Sequence, residues 1–161
     1  MQPPNEPLPG SVWDYPRPPR VEHERRRAVV EFGGVTIAES TRAVRVLETS
    51  HPPTIYIPQA DISPGVLKAN RRQTVCEWKG AARYWDIRVG DRIAAAAAWD
   101  YPDPRPGYEA LGGHVSFYPQ LMDRCTLGGE IVVPQPGAFY GGWITSDVAG
   151  PFKGAPGTLG W

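Results

Sequence analysis

Alternating apolar and polar positions on both sides of Gly33-Gly34 predict a first β-hairpin. Residues 28–32 lead into the glycine pair and residues 35–39 leave it. A Gly-Gly loop suits a type I′ turn, because both central residues of that turn need a positive φ. The apolar side chains then fall on one face of the hairpin, as a strand period of two requires. The predicted pairs are Phe32 with Val35, Glu31 with Thr36, and Val30 with Ile37.

A second hairpin is predicted at Gly90-Asp91, between residues 83–89 and 92–99. The alanine run at 94–98 has high helix propensity, but it is too short for an isolated helix. Small side chains on this strand also leave room for a large ring on the strand opposite. The run is therefore predicted to be a strand, and the predicted pairs are Trp85 with Ala96, Ile87 with Ala94, and Tyr84 with Ala97.

Shorter apolar runs predict the remaining elements. Residues 43–48 and 54–58 indicate two strands, separated by a segment whose double proline stops a helix. Gly128-Gly129 is a candidate turn for a third hairpin. Residues 61–70 indicate one short helix, with Pro64 in its first turn. The whole pattern predicts a mostly β fold with at most one or two short helices and long, ordered loops rich in Gly, Pro and aromatic residues.

Composition narrows the class of protein. The chain has 161 residues, of which 41% are hydrophobic, so it can bury a core. Its 18 glycines and 19 prolines exclude a helical bundle, since neither residue suits a helix interior. No apolar run approaches the roughly 18 residues of a membrane span, so no membrane partner is predicted. The 17 Lys and Arg residues balance 17 Asp and Glu residues, which argues against a general nucleic-acid binder.

The ends of the chain differ from its middle. Residues 1–11 are polar and rich in proline, which predicts a flexible lead, and residues 12–161 are predicted to form a single β domain. Residues 139–161 are interpreted as an ordered segment that wraps this domain. Its predicted anchors are Tyr140, Trp143, Phe152 and Trp161. The lead has no apolar region typical of a secretory signal, so a cytoplasmic location with reduced cysteines is predicted. A Cys76–Cys125 disulfide is the alternative.

The densest polar cluster consists of two short motifs. Glu48-x-x-His51 and Cys76-x-x-Lys79 supply a carboxylate, an imidazole, a thiol and an amine, the groups that transfer protons and act as nucleophiles. Residues three apart on a strand face opposite sides, so the motifs converge only if the chain bends, for which Pro52 and Gly80 are suitably placed. His51 can then deprotonate Cys76 while Glu48 orients the imidazole. Alternatively, Cys76 is a small buried hydrophobe, His51 packs on its prolines, and Glu48 pairs with Arg42.

An aromatic motif occurs twice along the chain. WDYPRP at 13–18 recurs as WDYPDP at 99–104. The two segments either line one aromatic-walled groove, or their likeness reflects chance and the common packing of aromatic rings on proline.

Motifs for cofactors and metals are weak. Residues 150–158 superficially suggest a phosphate loop, but they lack the G-x-x-x-x-G-K-[ST] pattern. The cysteines form no C-x-x-C pair, and the histidines have no partners at metal-ligand spacing. No cofactor and no metal site is therefore predicted.

Several of these residues together resemble a known family. The similarity is to the domain-of-unknown-function family 427 (DUF427); it is carried by residues 48–58, 74–87, 97–104, 117–119 and 150–158, and it covers nearly the whole chain from about Val12. The most specific block is Cys76-x-Trp78-Lys79-Gly80-x-x-x-Tyr84-Trp85, in which this chain has Glu77 where the family usually has proline. The resemblance implies a β-tent-like fold, in which two antiparallel sheets lean together.

The resemblance also implies possible functions. Some distant β-tent domains bind a small ligand in an aromatic cage, which Trp78, Trp85, Trp99 and Tyr101 would form here. Related domains hold zinc through two C-x-x-C pairs, and this chain has neither pair. The family has also been labelled nucleotidyltransferase-like, but no Gly-Ser plus paired-Asp signature supports nucleotidyl transfer.

Three functional hypotheses follow. The leading one is a cleft that binds a small polar or aromatic molecule. Its wall would be Trp78, Tyr84, Trp85, Trp99 and Tyr101, and its polar groups would be Arg42, Glu48, His51, Cys76 and Lys79. The second is an enzyme with Cys76 as nucleophile, His51 as base and Lys79 stabilising charge. The third is a structural or partner-binding module that docks another chain through residues 13–18 and 99–104.

Overall fold

The computed structural model describes residues 10–137, 139–154 and 158, and in these residues nearly all regular structure is β-strand. The prediction of a mostly β fold is confirmed. The strands are β1 Gly10–Ser11, β2 Arg20–His23, β3 Ala28–Phe32, β4 Val35–Ser40, β5 Val44–Leu47, β6 Thr54–Pro58, β7 Leu67–Cys76, β8 Gly80–Val89, β9 Arg92–Asp100, β10 His114–Phe117, β11 Arg124–Leu127, β12 Glu130–Ile131, β13 Val133–Pro134, β14 Trp143–Ile144 and β15 Val148–Ala149. Single-turn 3-10 helices cover Val12–Asp14, Gln59–Asp61, Glu109–Leu111 and Pro119–Leu121.

Two antiparallel sheets organise the domain. The larger has seven strands in the order β2-β5-β6-β10-β9-β8-β7, and the smaller has four in the order β12-β11-β3-β4. Two further pairs of short strands, β1–β15 and β13–β14, lie outside these two sheets. Hydrogen-bonded neighbours in both large sheets run antiparallel, as expected for strands joined by short turns.

The central strands of the seven-stranded sheet, such as β6 and β10, are buried on both faces. Ile55 and Ile57 of β6 face the main core, where they join side chains of the four-stranded sheet such as Val30 and Ile37. Tyr56, between them, belongs to a second buried cluster rich in tyrosine. Neighbouring residues of β6 belong to different clusters because successive side chains of a strand point to opposite faces of the sheet. The second cluster lies on the face that carries the candidate site.

The hairpin turns occur where they were predicted, but bulges change the pairing beyond them. In the first hairpin Phe32 pairs with Val35 and Glu31 with Thr36 as predicted, whereas Val30 pairs with Ala38, not Ile37. The third hairpin turns at Gly128-Gly129 between β11 and β12. The strands predicted at 43–48 and 54–58 are β5 and β6.

The second hairpin shows the physical origin of such a shift. Ile87 pairs with Ala94 as predicted, but Trp85 pairs with Ala98 and Tyr84 with Trp99, so the predicted partners Ala96 and Ala97 are wrong. Ala96 has a φ of 47°, and its backbone N–H donates a hydrogen bond to Asp86 at 2.8 Å. The side chain of Asp86 therefore satisfies a backbone donor that the bulge removes from the ladder.

The helix predicted within residues 61–70 is wrong. The 3-10 turn ends at Asp61, Gly65 has a φ of 81°, and β7 begins at Leu67. Pro64 and Gly65 form a separate turn, for which Gly65 supplies the left-handed conformation, and the chain then enters the edge strand of the large sheet.

The two ends of the chain are only partly described. Residues 1–9 of the predicted lead, and the predicted anchor Trp161, lie outside the described residues. Gly10–Ser11 pairs with Val148–Ala149, and Trp143 is buried in the main core. Among the described residues, no helix has both the length and the apolar character needed to cross a membrane.

Candidate functional site

A cavity of about 280 Å³ lies on the tyrosine-rich face of the seven-stranded sheet. Strands β5 to β9 form its floor, and a covering segment, residues 135–137 and 139–141, lies above it. The lining residues are Val46, Glu48, His51, Pro52, Thr54, Tyr56, Thr74, Val75, Cys76, Lys79, Tyr84, Trp99, Tyr101, Tyr118, Gln135, Phe139, Tyr140 and Gly141. Val75 and Phe139 are exposed, so the cavity reaches the protein surface.

One row of cross-strand partners builds the floor. Tyr84 pairs with Trp99, Trp99 with Ser116, and Ser116 with Tyr56, which places these side chains on one face of the sheet. Ser116 is fully buried, and its small side chain leaves space for the rings on either side. The Trp99 indole N–H donates to the Tyr56 hydroxyl at 3.2 Å. The indole is thereby fixed as part of the wall.

Further rings close around this row. Trp99 packs on Tyr118 with ring centroids 4.6 Å apart, and Tyr56 lies 6.3 Å from Tyr101. The Tyr118 hydroxyl donates to the Phe139 carbonyl at 3.1 Å, which attaches the covering segment to the floor. Burial raises the pKa of Tyr56, Tyr101 and Tyr118, so these hydroxyls stay uncharged in the neutral range.

The two polar motifs meet at the cavity. The β5–β6 loop carries Glu48 and His51, and the β7–β8 turn carries Lys79 just after Cys76. The Lys79 ammonium lies 3.8 Å from the Glu48 carboxylate, so Glu48 pairs with Lys79 and not with Arg42. The bends that this requires are present: Ser50 has a φ of 68° and Gly80 a φ of 113°.

Lys79 is a buried cation, with 6% of its surface exposed. Burial acts to lower the pKa of Lys79, but the oxygen of Tyr56, the carboxylate of Glu48 and the thiol of Cys76 outweigh it, so the pKa lies above its usual value. The ammonium also lies 5.9 Å from the centre of the Tyr101 ring. Lys79 therefore supplies a fixed positive charge and not a free amine nucleophile.

The buried amide of Gln135 determines the state of His51. Gln135 Nε2 donates to the Lys153 carbonyl at 2.8 Å, and Gln135 Oε1 accepts from the Gly142 N–H at 3.1 Å. These two bonds fix the orientation of the amide. Its Nε2 lies 3.0 Å from His51 Nδ1, so Nδ1 must accept a hydrogen bond and the proton of the neutral ring is on Nε2.

This arrangement favours His51 as a hydrogen-bond donor rather than a base. Burial is the main reason that the pKa of His51 lies below its usual value, and the positive charges of Lys153 and Lys79 act in the same direction. A base that activates a thiol needs a free ring lone pair. Gln135 occupies Nδ1 and the proton occupies Nε2, so the predicted Cys76–His51 pair lacks its acceptor.

The low pKa of His51 predicts that stability falls in mild acid. Below about pH 6.5 the unfolded imidazole takes up a proton that the buried ring does not, so the free energy of unfolding falls by at most about 1.4 kcal/mol per pH unit. We expect the free energy of unfolding of His51→Gln not to show this decline between neutrality and about pH 5. Urea denaturation followed by tryptophan fluorescence measures it at each pH. The exposed His23→Gln is the control and keeps the decline. An unchanged slope in His51→Gln would contradict the assignment.

Three predicted site residues lie outside the cavity. Arg42 donates to Asp61 at 2.6 Å at the start of β5. Trp85 is on the opposite face of β8 from Tyr84, packs against the main core and carries the Arg83 guanidinium 4.7 Å above its ring. Trp78 lines a separate groove with Pro18 and Tyr108. The structure therefore does not bring Arg42, Trp78 and Trp85 together with the other predicted site residues.

The repeated WDYP motif does not form one groove. Trp99 and Tyr101 line the cavity, whereas Trp13 is absent from its lining and donates its indole N–H to the Pro151 carbonyl at 2.9 Å. Asp100 is 2% exposed and accepts two hydrogen bonds from Arg83, at 3.0 and 2.7 Å. Residues 99–101 of the second copy are therefore buried, whereas Pro102 and Asp103 are exposed.

Sequence reasoning missed several lining residues. Tyr56 was recoverable, because it alternates with two isoleucines in a predicted strand and must face the opposite side. Tyr118 follows a short strand, and Gln135, Phe139 and Tyr140 belong to the covering segment. For these four residues no local pattern in the sequence indicates which strand they contact.

Metal-binding and redox groups are sparse around the site. In the part of the chain that the structure describes, no three His, Cys, Asp or Glu side chains converge as a metal site. Both cysteines are free thiols, Cys76 at the cavity and Cys125 in the main core. Burial raises the pKa of Cys125 to about 12, so this thiol is inert at neutral pH.

Comparison with known proteins agrees with the resemblance seen in the sequence. The comparison with curated proteins finds no match. The model of a domain of unknown function, DUF427, matches residues 20–128, which include every large-sheet strand and the Glu48, His51, Cys76 and Lys79 positions. The chain therefore belongs to the DUF427 family.

Proposed function

We propose that this domain binds a small molecule with an aromatic ring in the cavity on its tyrosine-rich face. The observation that carries the proposal is a cavity of about 280 Å³ whose lining includes seven Phe, Tyr and Trp rings and whose charged groups are few and close together. Small-molecule sites combine an apolar wall with a few convergent polar groups in this way. A cavity of about 150 Å³ already accommodates a benzene ring, so this one has room for a substituted ring.

The roles of the lining residues follow from their chemistry. Trp99 and Tyr84 present ring faces and edges against which a planar ligand can pack. Lys79, Glu48 and His51 supply a cation, an anion and a neutral donor that would orient its polar substituent. These groups are held by turns and by Gln135 before any ligand arrives. Such preorganisation lowers the entropy cost of binding.

The two rival hypotheses receive less support. An enzyme with Cys76 as nucleophile needs His51 as base, and the hydrogen bond from Gln135 opposes that role. Docking through residues 99–104 needs exposed rings, but Trp99 and Tyr101 are buried. The free state of both thiols supports a cytoplasmic setting for this proposal.

The proposal predicts that simple one-ring probes stabilise the protein. Benzoate, benzamide and benzylamine form the test set, and at about ten times its Kd a bound probe should raise Tm by about 3–6 °C. Cys76→Phe, which fills the cavity, should remove the shift. Ala81→Phe, which puts the same ring on an exposed site of β8, should retain it. If none of the three probes changes Tm or tryptophan fluorescence at millimolar concentration, the proposal is wrong.

A further inference from the structure

We propose that the ligand of this cavity is a small aromatic acid whose carboxylate binds the ammonium of Lys79. This inference rests on the proposed function and names the ligand class for the same site. It is carried by the distribution of charge around the cavity and by the free donor capacity of two lining residues.

Positive charge is in excess at this site. Lys79 lines the cavity, and the Arg72 guanidinium lies 4.7 Å above the Tyr84 ring and 5.9 Å from the Phe139 ring, both of which line the cavity. Within the described residues, Glu48 is the only carboxylate in the cavity lining. Two cations against one anion favour an anionic ligand over a neutral or cationic one.

Lys79 has donors to spare for that anion. An ammonium group carries three N–H donors. Its ion pair in the described part of the chain is with Glu48 at 3.8 Å, longer than the roughly 2.7–3.2 Å of an N–H···O hydrogen bond. Glu48 is partly exposed and shares its charge with solvent, with 32% of its side chain accessible. A ligand carboxylate can therefore approach the ammonium without displacing a short, buried ion pair.

His51 supplies a second donor on the same wall. Because Nδ1 accepts from Gln135, the ring carries its proton on Nε2 and can donate from that atom to an anion. An ammonium and a neutral N–H donor together match the two oxygens of a carboxylate. The rings of Trp99, Tyr84 and Tyr118 then provide the contact surface for the aromatic part of the ligand.

The chemistry disfavours two other ligand classes. An aromatic amine would place its cation beside Lys79, with Arg72 on the neighbouring Tyr84 ring, so like charges repel it. Residues 150–158 lack the pattern of a glycine-rich phosphate loop, so the sequence offers no such backbone cradle for the phosphates of a nucleotide.

The experiment compares three probes of nearly equal shape on the full chain at neutral pH. Benzoate is anionic, benzamide is neutral and benzylamine is cationic, and their Kd values are measured by tryptophan fluorescence and calorimetry. A charge-assisted hydrogen bond in place of a neutral one should make benzoate bind about tenfold tighter than benzamide. Benzylamine should bind weakest. Lys79→Met should bring the benzoate-to-benzamide ratio close to one, whereas Lys68→Met, on an exposed site of β7, should preserve it.

Each outcome has a distinct meaning. Benzamide or benzylamine binding as tightly as benzoate in the unmodified protein would overturn the inference and leave the proposed function intact. No binding by any probe would overturn the proposed function itself. A tenfold preference that survives in Lys79→Met, or in Lys79→Gln if the first variant does not fold, would show that Lys79 does not bind the carboxylate.

Discussion

Replacing Gly141 with alanine is expected to lower the free energy of unfolding by about 2–3 kcal/mol and to weaken binding of aromatic probes. A Cβ at this position would lie 2.2 Å from Trp99 Cη2 and 3.2 Å from Tyr118 Cδ1. The indole cannot simply move away, because Tyr118 packs on it and its N–H is bonded to Tyr56. The ring must tilt into the cavity, which costs packing energy and occupies ligand space.

Gly10→Ala is the matched control for this substitution. Neither glycine has a positive φ, and the added Cβ at position 10 would meet only Asp147 O at an ordinary 3.9 Å. Its unfolding free energy should stay within about 0.5 kcal/mol of the unmodified protein. Urea denaturation and Kd measurements with benzoate check both variants. If Gly141→Ala proves as stable as Gly10→Ala, the covering segment does not lie against Trp99 as described.

Local patterns account for most of the strands. Glycine pairs mark two hairpin turns because they supply two successive positive φ values, and the period of two assigns each side chain to a face. The alanine run of β9 forms a strand despite its helix propensity because pairing with β8 across a tight turn overrides that propensity. These features depend on neighbours a few residues away, so the sequence is sufficient to predict them.

The site was predictable only where local chemistry determines it. The Glu48 and Cys76 motifs converge because the chain bends at Ser50, inside the first motif, and at Gly80, directly after the second; the sequence indicated Gly80 but placed the first bend at Pro52. Arg42 and Trp85 lie away from the cavity for different reasons. Arg42 pairs with Asp61 at the end of a 3-10 helix, and Trp85 follows directly after Tyr84 on a strand, so only one of these two rings can face the cavity.

Bulges and the covering segment were not predictable. The bulge at Ala96 depends on a hydrogen bond from the Ala96 backbone N–H to the Asp86 side chain, and no local pattern in the sequence predicts this bond. The covering segment reaches the large sheet through contacts between residues far apart in the chain, including Tyr118 with Phe139 and Gln120 with Tyr140. Its contribution to the site therefore depends on tertiary packing and has no signature in residue spacing.

Gln135→Leu is expected to lower the free energy of unfolding by about 3 kcal/mol, because it leaves buried polar groups without partners. Gln135 is 3% exposed and contacts three separate segments through His51, Gly142 and Lys153. Leucine has a similar volume, so the loss would come from hydrogen bonds and not from a cavity. Gln73→Leu, on an exposed site of β7, is the control and should change stability by about 0.5 kcal/mol or less.

The Gln135→Leu variant also separates a structural role of Gln135 from its role in orienting His51. Without the amide, Nδ1 of His51 loses its donor, so the ring can adopt either tautomer and its Nε2–H is no longer fixed. Nitrogen chemical shifts of His51 should then report mixed tautomers, whereas the unmodified protein should report protonation on Nε2. Mixed tautomers already present in the unmodified protein would remove the basis for His51 as a fixed donor. A single Nε2–H tautomer in Gln135→Leu would show that another group, and not Gln135, orients the ring.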